Sequence, residues 1–515
     1  MGFDKEDKSK VLRGVLITFL GRIAGLINGF FIFIIPSLLG DVAFGSFMVV
    51  YFSVEMLGKF LVAGFSDAVT YFGARRIAAK DEDALYRALA HCIAWPLLAS
   101  GLVAGIVILI APHLYERLWS RAWDPELVLL LQWAVCVFPL MVLVKVPVEA
   151  VKAHLDMKWG VLVVEIMLPL GNFSLVLACW LLDWGAKGLV VAYVGSYLLA
   201  LPVALYGYSR YFSLVRTIRT IPSSLKEREI FVFSWVQGTN MLLSFGLGRV
   251  DTLMLAIWYG PEVISLYARL TEISRSIRTA KTTFVGVFSP LVAKYKELNN
   301  VRGIEDSLHL ITRWSASLAF PLLVGLLSFY PEVISMQLGA VVESSPWIIW
   351  ILATAAVLSC FFGFSGNLLL MTGHSRLLLF NAALAMTQNI VLNLLLIPRW
   401  GAIGAAVATL LTAITITSLQ VYELAKIEKI HFLASGYIKP LAGGIPSVVV
   451  IFLLNYPPLH PWLFFYGVTA GTVIKVGIVL VSLLAYGLLI FMWPGVNPER
   501  DWIRNKLEER KQSHG

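Results

Sequence analysis

The chain has 515 residues, a mean hydropathy of +0.79, 58% hydrophobic residues and only 14% charged ones. A soluble domain carries about 25% charged residues, so this composition excludes a water-exposed globule and makes hydrocarbon the main solvent. The net charge of +9 points to nucleic acid only until the charges are placed along the chain.

An α-helix needs about 20 apolar residues to cross the hydrocarbon core. Runs of that kind predict about fourteen transmembrane helices: 14–38, 44–68, 87–112, 127–149, 160–182, 186–209, 229–251, 262–292, 308–329, 346–371, 377–397, 401–424, 438–455 and 462–492. The first run is longer than the roughly 7–15 apolar residues of a signal peptide and carries Arg22 and Asn28, so it is expected as a retained helix. The loops at 69–86, 210–228, 293–307 and 425–437 are basic and short, suited to anionic headgroups. The tail from Pro494 to Gly515 mixes charges of both signs and reads as a solvated amphipathic helix. Cys92, Cys136, Cys179 and Cys360 sit in apolar runs without CxxC or Cys/His spacing, which reads as small buried hydrophobes. No metal motif and no cofactor motif is present.

Lys and Arg set the orientation. With the N-terminus inside, the inner segments hold roughly 28 basic residues, whereas the outer loops hold Arg117, Arg121, Lys187 and Arg399. Adding or dropping one helix would scramble that alternation. The split predicts both chain ends in the cytoplasm of a cell with this protein in its inner or plasma membrane, and it removes the nucleic-acid reading.

The sequence also repeats itself. LLGDVAFGSF (Leu38–Phe47) aligns with WYGPEVISLY (Trp258–Tyr267) at an offset of 220, and WGAKGLVVA (Trp184–Ala192) aligns with WGAIGAAVA (Trp400–Ala408) at an offset of 216. The offset spans an even number of helices, so the repeats run parallel. Parallel halves related by an axis along the membrane normal are a transporter design with the substrate between them. The expected fold is therefore an all-α integral membrane protein with two six-helix lobes in a parallel pseudo-repeat (1–222 and 223–437). Two C-terminal helices (438–493) and a cytoplasmic tail (494–515) follow.

PSLLGDVAFGSF, DTLMLAIWYGPEVISLYARL and LLLMTGHSRLLLFNAALAMTQNIVLNLLLIPRWGAIGAAVATLL resemble the polysaccharide-synthesis branch of the multidrug/oligosaccharidyl-lipid/polysaccharide flippase superfamily, over about residues 10–430. The resemblance implies two lobes around a central cavity that alternates between inward and outward openings. It also implies cations on the first two helices and on helix eight that meet the substrate's phosphates.

Charged groups near mid-membrane cost at least about 2.5–3.5 kcal/mol by insertion scales and persist where they face water or a partner. Arg269, Glu272, Arg275, Arg278 and Lys281 recur every third residue along the eighth helix. Three residues turn about 300°, so the row drifts round the helix and cannot face one narrow groove. Arg22, Lys59, Arg275, Arg278, Lys281 and Lys475 are the candidate substrate-binding residues. Guanidinium and ammonium groups suit a lipid diphosphate. Glu55 and Glu272 are candidates for ion coupling or for pairing with Lys59 and with Arg269 or Arg275. Glu149 and Glu165 are further intramembrane acids, and Arg249 and Asp251 read as a structural pair at the outer mouth. Asn367, Asn381, Asn389 and Asn393 suit sugar hydroxyls and helix–helix hydrogen bonds equally.

The leading reading is a non-enzymatic flippase for a lipid-linked oligosaccharide. Expected partners are that anionic substrate, membrane lipids and polysaccharide assembly enzymes, with a monomer as the simplest assembly. A cation exporter of the same superfamily would place acids, not bases, at its cavity. A membrane sugar polymerase or ligase would need larger outer loops than these. A scaffold without transport activity is also compatible with the sequence.

Overall fold

The computed structural model describes residues 34–119, 123–154, 156–224, 227–297, 300–338, 345–431, 477–484 and 486. The fold is all-α and integral to the membrane. Among the described residues, eight helices are long and apolar enough to cross a bilayer. The main helices are α1 (Asp41–Ala78), α2 (Glu82–Leu114), α3 (Glu126–Ala134), α4 (Val137–Val151), α5 (Leu168–Leu181), α6 (Gly185–Ser209) and α7 (Leu214–Ser224). They continue with α8 (Arg228–Leu247), α9 (Val250–Trp258), α10 (Pro261–Glu297), α11 (Val301–Leu338), α12 (Ser345–Phe362), α13 (Phe364–Met371) and α14 (Ser375–Ile427). The predicted first helix lies outside the described residues except for 34–38, and the predicted last two except for 477–484 and 486.

Several spans are interrupted. The fourth is α3 plus α4, and the fifth enters α5 through a π-helical stretch, Val161–Met167, that carries Glu165. Such wide turns re-aim side chains and recur at functional sites. α14 contains two predicted spans, joined at Pro398 and Gly401. Gly401 takes φ +57°, where a Cβ would also sit 2.9 Å from the Tyr259 hydroxyl. Glycine is the residue that adopts this conformation without strain.

The chain gathers into two compact units, Met1–Arg269 with Ala382–Ala408, and Leu270–Asn381 with Thr409–Gly515. In the first, α1 packs against α8, α2 and α4, and α6 packs against α4 and α5. The α1–α8 contact depends on glycine: Gly64 lies against the Ser234 carbonyl, and a Cβ on Gly238 would stand 2.8 Å from the Phe60 carbonyl. Small residues that let backbones approach are the usual means of helix association in lipid.

At the start of α1 the two repeat segments meet. Asp41 accepts a 2.5 Å hydrogen bond from Ser265, and Gly45 lies against the Pro261 carbonyl. At the offset of 220, Ser265 is the repeat mate of Gly45 and Pro261 is the mate of Asp41. The contact is reciprocal, as contacts across a two-fold axis are.

One end of the first unit's helices is tied by charge. Arg216 on α7 bonds Glu82 at 2.7 Å and Asp83 at 2.9 Å and stacks 4.4 Å from the Tyr86 ring. Glu227 bridges Arg76 and Arg87, each at 3.2 Å. His91 is buried and donates through Nδ1 to the Ser224 carbonyl at 2.7 Å.

In the second unit an apolar cluster that includes Phe288, Leu308, Phe364, Leu368 and Leu424 joins α10, α11, α13 and α14. Lys296 donates to the Thr372 carbonyl at 2.5 Å and His431 donates its backbone N–H to Glu305 at 3.2 Å. Asn381 donates to Glu423 at 2.6 Å inside the packing of α14 on itself. In the first unit Asn393 donates to Asn389 at 2.8 Å, and both are buried. For these three asparagines the observed contacts are intramolecular hydrogen bonds.

Candidate functional site

Two helical faces of the first unit enclose a cavity of about 330 Å³. On α1 the face runs through Lys59, Val62, Ala63, Ser66 and Asp67; on α4 it runs through Lys145, Glu149 and Lys152. The spacings of three, four and seven residues are those that place side chains on one side of a helix. At about 1.5 Å per residue, Lys59 stands about 27 Å along α1 from Asp41, close to the middle of that helix. Charged groups in the middle of an apolar helix are sustained by partners and by a cavity they can face.

The lining is mixed but organised. Lys152 bonds Glu149 at 2.6 Å and neutralises it. Gln237 from α8 donates to Asp67 at 3.2 Å. Lys59 lies 4.0 Å from Glu55, one turn away, with its side chain 36% exposed against 9% for the glutamate. The lysine therefore reaches into open space while the carboxylate is enclosed. Lys145 holds its ammonium 5.5 Å from the Tyr197 ring centroid. Cation–π contacts of this kind hold a cation without neutralising it.

Glu55 anchors the enclosed end. Tyr193 donates to it at 2.8 Å. Tyr193 belongs to an aromatic ladder, edge-on to Tyr51 at 5.3 Å and to Tyr197 at 5.8 Å. Lys59, Lys145 and Arg249 all lie within electrostatic reach of Glu55, and Glu165 within reach of Lys59. Arg249 stacks 4.2 Å from the Phe52 ring, and both Arg249 and Lys59 lie 5.8 Å from the Phe245 ring. The Arg249 guanidinium thus lies over the rings of α1 and α8. Asp251 accepts from the Tyr267 hydroxyl at 2.7 Å.

The charge row on the eighth predicted helix, α10, divides between the units. Arg269 is fully buried in the first unit and bonds Asp41 and Ser265. In the second unit Arg275 bonds Glu272 at 2.8 Å, both about a fifth exposed. Lys281 lies 6.0 Å from the Phe364 ring and beside Cys360 and Arg278. Lys59 and Glu55 are thus brought together, as are Arg275 and Glu272, and Arg278 and Lys281. Arg22 and Lys475 lie outside the described residues.

Sequence reasoning missed Lys145, Lys152, Asp67 and the tyrosines. Lys145 carried the same signal as Lys59, a lone base inside the apolar run LMVLVKVPVEAV. The tyrosines carried none, since aromatic residues fill membrane helices for many reasons. Among the described residues no group of His, Cys, Asp and Glu is arranged to hold a metal ion. The arrangement offers the ammonium groups of Lys59, Lys145 and Lys152 at the wall of one cavity beside Asp67 and Glu149, a lining with one more cation than anions and so suited to an anion.

A family profile described as polysaccharide biosynthesis protein matches residues 11–296. The chain is 22% identical over 220 residues to the probable low-salt glycan biosynthesis flippase Agl15 of Haloferax volcanii, covering 43% of this chain and 47% of that protein. It is 24% identical over 287 residues to the probable flippase AglR of the same organism, covering 53% of this chain and 57% of that one. The chain thus spans about half the length of the curated relatives it matches. Among solved structures, lipid II flippase MurJ in an inward closed conformation superposes with a TM-score of 0.69 at 15% identity, covering 96% of this chain and 100% of that one. At that identity the likeness is one of fold.

Proposed function

The chain belongs to the polysaccharide biosynthesis protein family, and from that membership we propose that it is a flippase for a lipid-linked, polyprenyl-diphosphate oligosaccharide. It carries this substrate from the cytoplasmic to the outer leaflet of the cell membrane by alternating access, for cell-surface polysaccharide. The lobes that alternate are residues 1–222 and 223–437, with 438–493 beside them and both chain ends in the cytoplasm.

The observation that carries the reading is the cavity with Lys59, Lys145 and Lys152 at its wall. A phosphate about 4 Å from one ammonium gains about 4 kcal/mol at an effective dielectric of about 20, and each further ammonium at the wall adds to that attraction. Arg275, Arg278 and Lys281, with Arg22 and Lys475, are the further cations assigned to the substrate path. The cation-exporter reading would need acids at the open wall. The wall carries Asp67 and Glu149, but Glu149 is neutralised by Lys152, and Lys59, Lys145 and Lys152 outnumber the two acids.

The test is complementation in a host lacking a defined flippase, with lipid-linked sugars tracked on each leaflet. Lys59→Ala with Lys145→Ala, and separately Arg275→Ala with Arg278→Ala, should abolish outer-leaflet accumulation while membrane insertion stays normal. Full export by either double variant removes that set of cations from the site. Restoration of growth without any leaflet transfer of lipid-linked sugar removes the flippase reading itself.

A further inference from the structure

A second cavity opens at the end of the first unit where α1 turns into α2. Its volume is about 430 Å³, within the roughly 300–1,000 Å³ of small-molecule pockets. The α1–α2 turn, the 3₁₀ turn after α4 (Lys152–His154) and the link from α6 to α7 surround it. No residue lines both this cavity and the cation-lined one. Asp67 is the last α1 residue at the cation-lined cavity, and Arg76, at this one, stands about 14 Å further along at about 1.5 Å per residue.

Helix length and composition set this end at the membrane surface. α1 has 38 residues, about 57 Å of helix against about 30 Å of hydrocarbon. Its last turn carries Arg75 and Arg76, and Lys80, Asp81, Glu82 and Asp83 follow. Around the α6–α7 link Tyr206 and Tyr211 are exposed, as are Val215 and Ile218 on one face of α7. Exposed tyrosines and an apolar face on a short basic helix belong at the level of the headgroups.

The lining holds donors and acceptors that the fold leaves unused. The Lys80 ammonium has no partner among the described residues. Neither ring nitrogen of His154 has one either, although the ring packs 5.2 Å from Tyr211 and 5.2 Å from Phe212. Tyr86 accepts the Ser213 backbone N–H at 3.0 Å and keeps its own proton to donate. Asp81 uses one carboxylate oxygen on the Ala84 N–H at 2.9 Å, and Glu82 uses one on Arg216 at 2.7 Å. The second oxygen of each has no hydrogen-bond partner among the described residues. Arg76 is the tied member, bonded to the Ala84 carbonyl and to Glu227.

An ammonium, an imidazole N–H and a phenol beside two half-used carboxylates match a ligand that carries both an anion and an N–H cation. We propose that this cavity binds the phosphoethanolamine headgroup of a membrane phospholipid. The phosphate takes the donors of Lys80, His154 and Tyr86, and the primary ammonium donates to Asp81 and Glu82. An anionic headgroup without an amine would bring its charge against two carboxylates, and a quaternary amine would offer them no N–H. One bound lipid links the α1–α2 turn to the ends of α4 and α6. It takes no part in the site deeper along α1, so the proposal stands apart from the flippase reading.

The experiment titrates the full-length protein in detergent with dioleoyl phosphatidylethanolamine, phosphatidylcholine or phosphatidylglycerol. Native mass spectrometry reads the affinity of the first bound lipid. The ethanolamine lipid should bind about tenfold more tightly than the glycerol lipid, and about threefold more tightly than the choline lipid. Asp81→Asn with Glu82→Gln, which keeps a helix-capping side chain, should bind phospholipid without that preference. Lys80→Ala should weaken all three lipids. Wild-type protein that holds either other lipid as tightly as the ethanolamine lipid overturns the proposal. A preference unchanged in the acid double variant overturns the placement at this cavity, and unchanged affinities in Lys80→Ala overturn the phosphate's place in it. Glycerophosphoethanolamine bound as tightly as the lipid would overturn the lipid in favour of a soluble ligand. The wild-type comparison needs no variant, so a variant that failed to fold would not shield the idea.

Discussion

Asp41→Asn should destabilise the protein far more than a surface charge change. Arg269 is fully buried, and its charge is balanced by Asp41, whose own side chain is only 18% exposed. Removing the carboxylate leaves the guanidinium with Ser265, which accepts at its carbonyl at 3.2 Å and at its hydroxyl at 2.9 Å, and with its unchanged neighbours. Breaking a buried pair from one side costs about 3–5 kcal/mol. The partial exposure of Asp41 and the Ser265 bonds favour the lower end, about 3 kcal/mol. For a chain of 515 residues that corresponds to a fall in unfolding temperature on the order of 3 °C. A thiol-reactive dye suits the measurement in a Cys136→Ser background, because Cys136 is exposed, contrary to the sequence expectation, whereas Cys92, Cys179 and Cys360 are buried and become reactive on unfolding. The double variant Asp41→Asn with Arg269→Met should recover most of the loss, since an apolar replacement leaves no stranded charge. An Asp41→Asn protein within about 1 kcal/mol of wild type refutes the reasoning, as does a double variant no better than the single one.

Three other outcomes follow from particular contacts. Lys145→Ala alone should lower outer-leaflet transfer at least about tenfold, the equivalent of about 1.4 kcal/mol, whereas Lys158→Ala, on an exposed turn, should leave it unchanged; equal effects would remove Lys145 from the cavity. Gly64→Ala drives a methyl into the Ser234 carbonyl and should cost about 1–3 kcal/mol by overpacking, read with the same thiol dye. Outside the membrane, Tyr211 donates to Asp156 at 2.6 Å, and that bond to a carboxylate, with burial, pushes its phenol up to about 12. Its folded-state ionisation is raised, so the bond's contribution to stability is complete below about pH 10 and lost as pH rises through about 12. Asp156→Asn should move one phenolate absorbance step to lower pH, and an unchanged titration would rule out the bond.

The spans were legible because hydrocarbon imposes one rule on every residue inside it. Predicted 186–209 and 127–149 stand against Gly185–Ser209 and the pair α3 plus α4. The kink at Gly401 separates the two spans that α14 joins, where the sequence places a proline and a glycine. Partners were less legible. The spacing along α10 showed which charges needed company, but Arg269 found its carboxylate at Asp41, far away in sequence. Glu55 with Lys59, and Glu272 with Arg275, were readable because helical spacing alone brings them together. Lys145 has Glu149 at that same spacing, but the glutamate pairs with Lys152, and the place of Lys145 in the site comes from the α1 face opposite, which spacing does not reveal.

The repeat and the charges are two aspects of the same construction. A duplicated chain starts with equivalent residues at equivalent places, and its halves diverge where their duties differ. At the start of α1 the correspondence survives as reciprocal contacts, Asp41 with Ser265 and Gly45 with Pro261. Deeper in the membrane it is gone. The equivalent of Glu55 at the same offset is Arg275, and the equivalent of Lys59 is Thr279. The half that holds Glu55 keeps its cations beside a buried carboxylate, whereas Arg275 in the other half is paired with a glutamate one turn away. A pump for anions with two equal halves would bind its cargo the same way on each side. The departure from symmetry at this depth leaves a buried carboxylate beside Lys59 in the first half and an arginine paired on its own helix in the second.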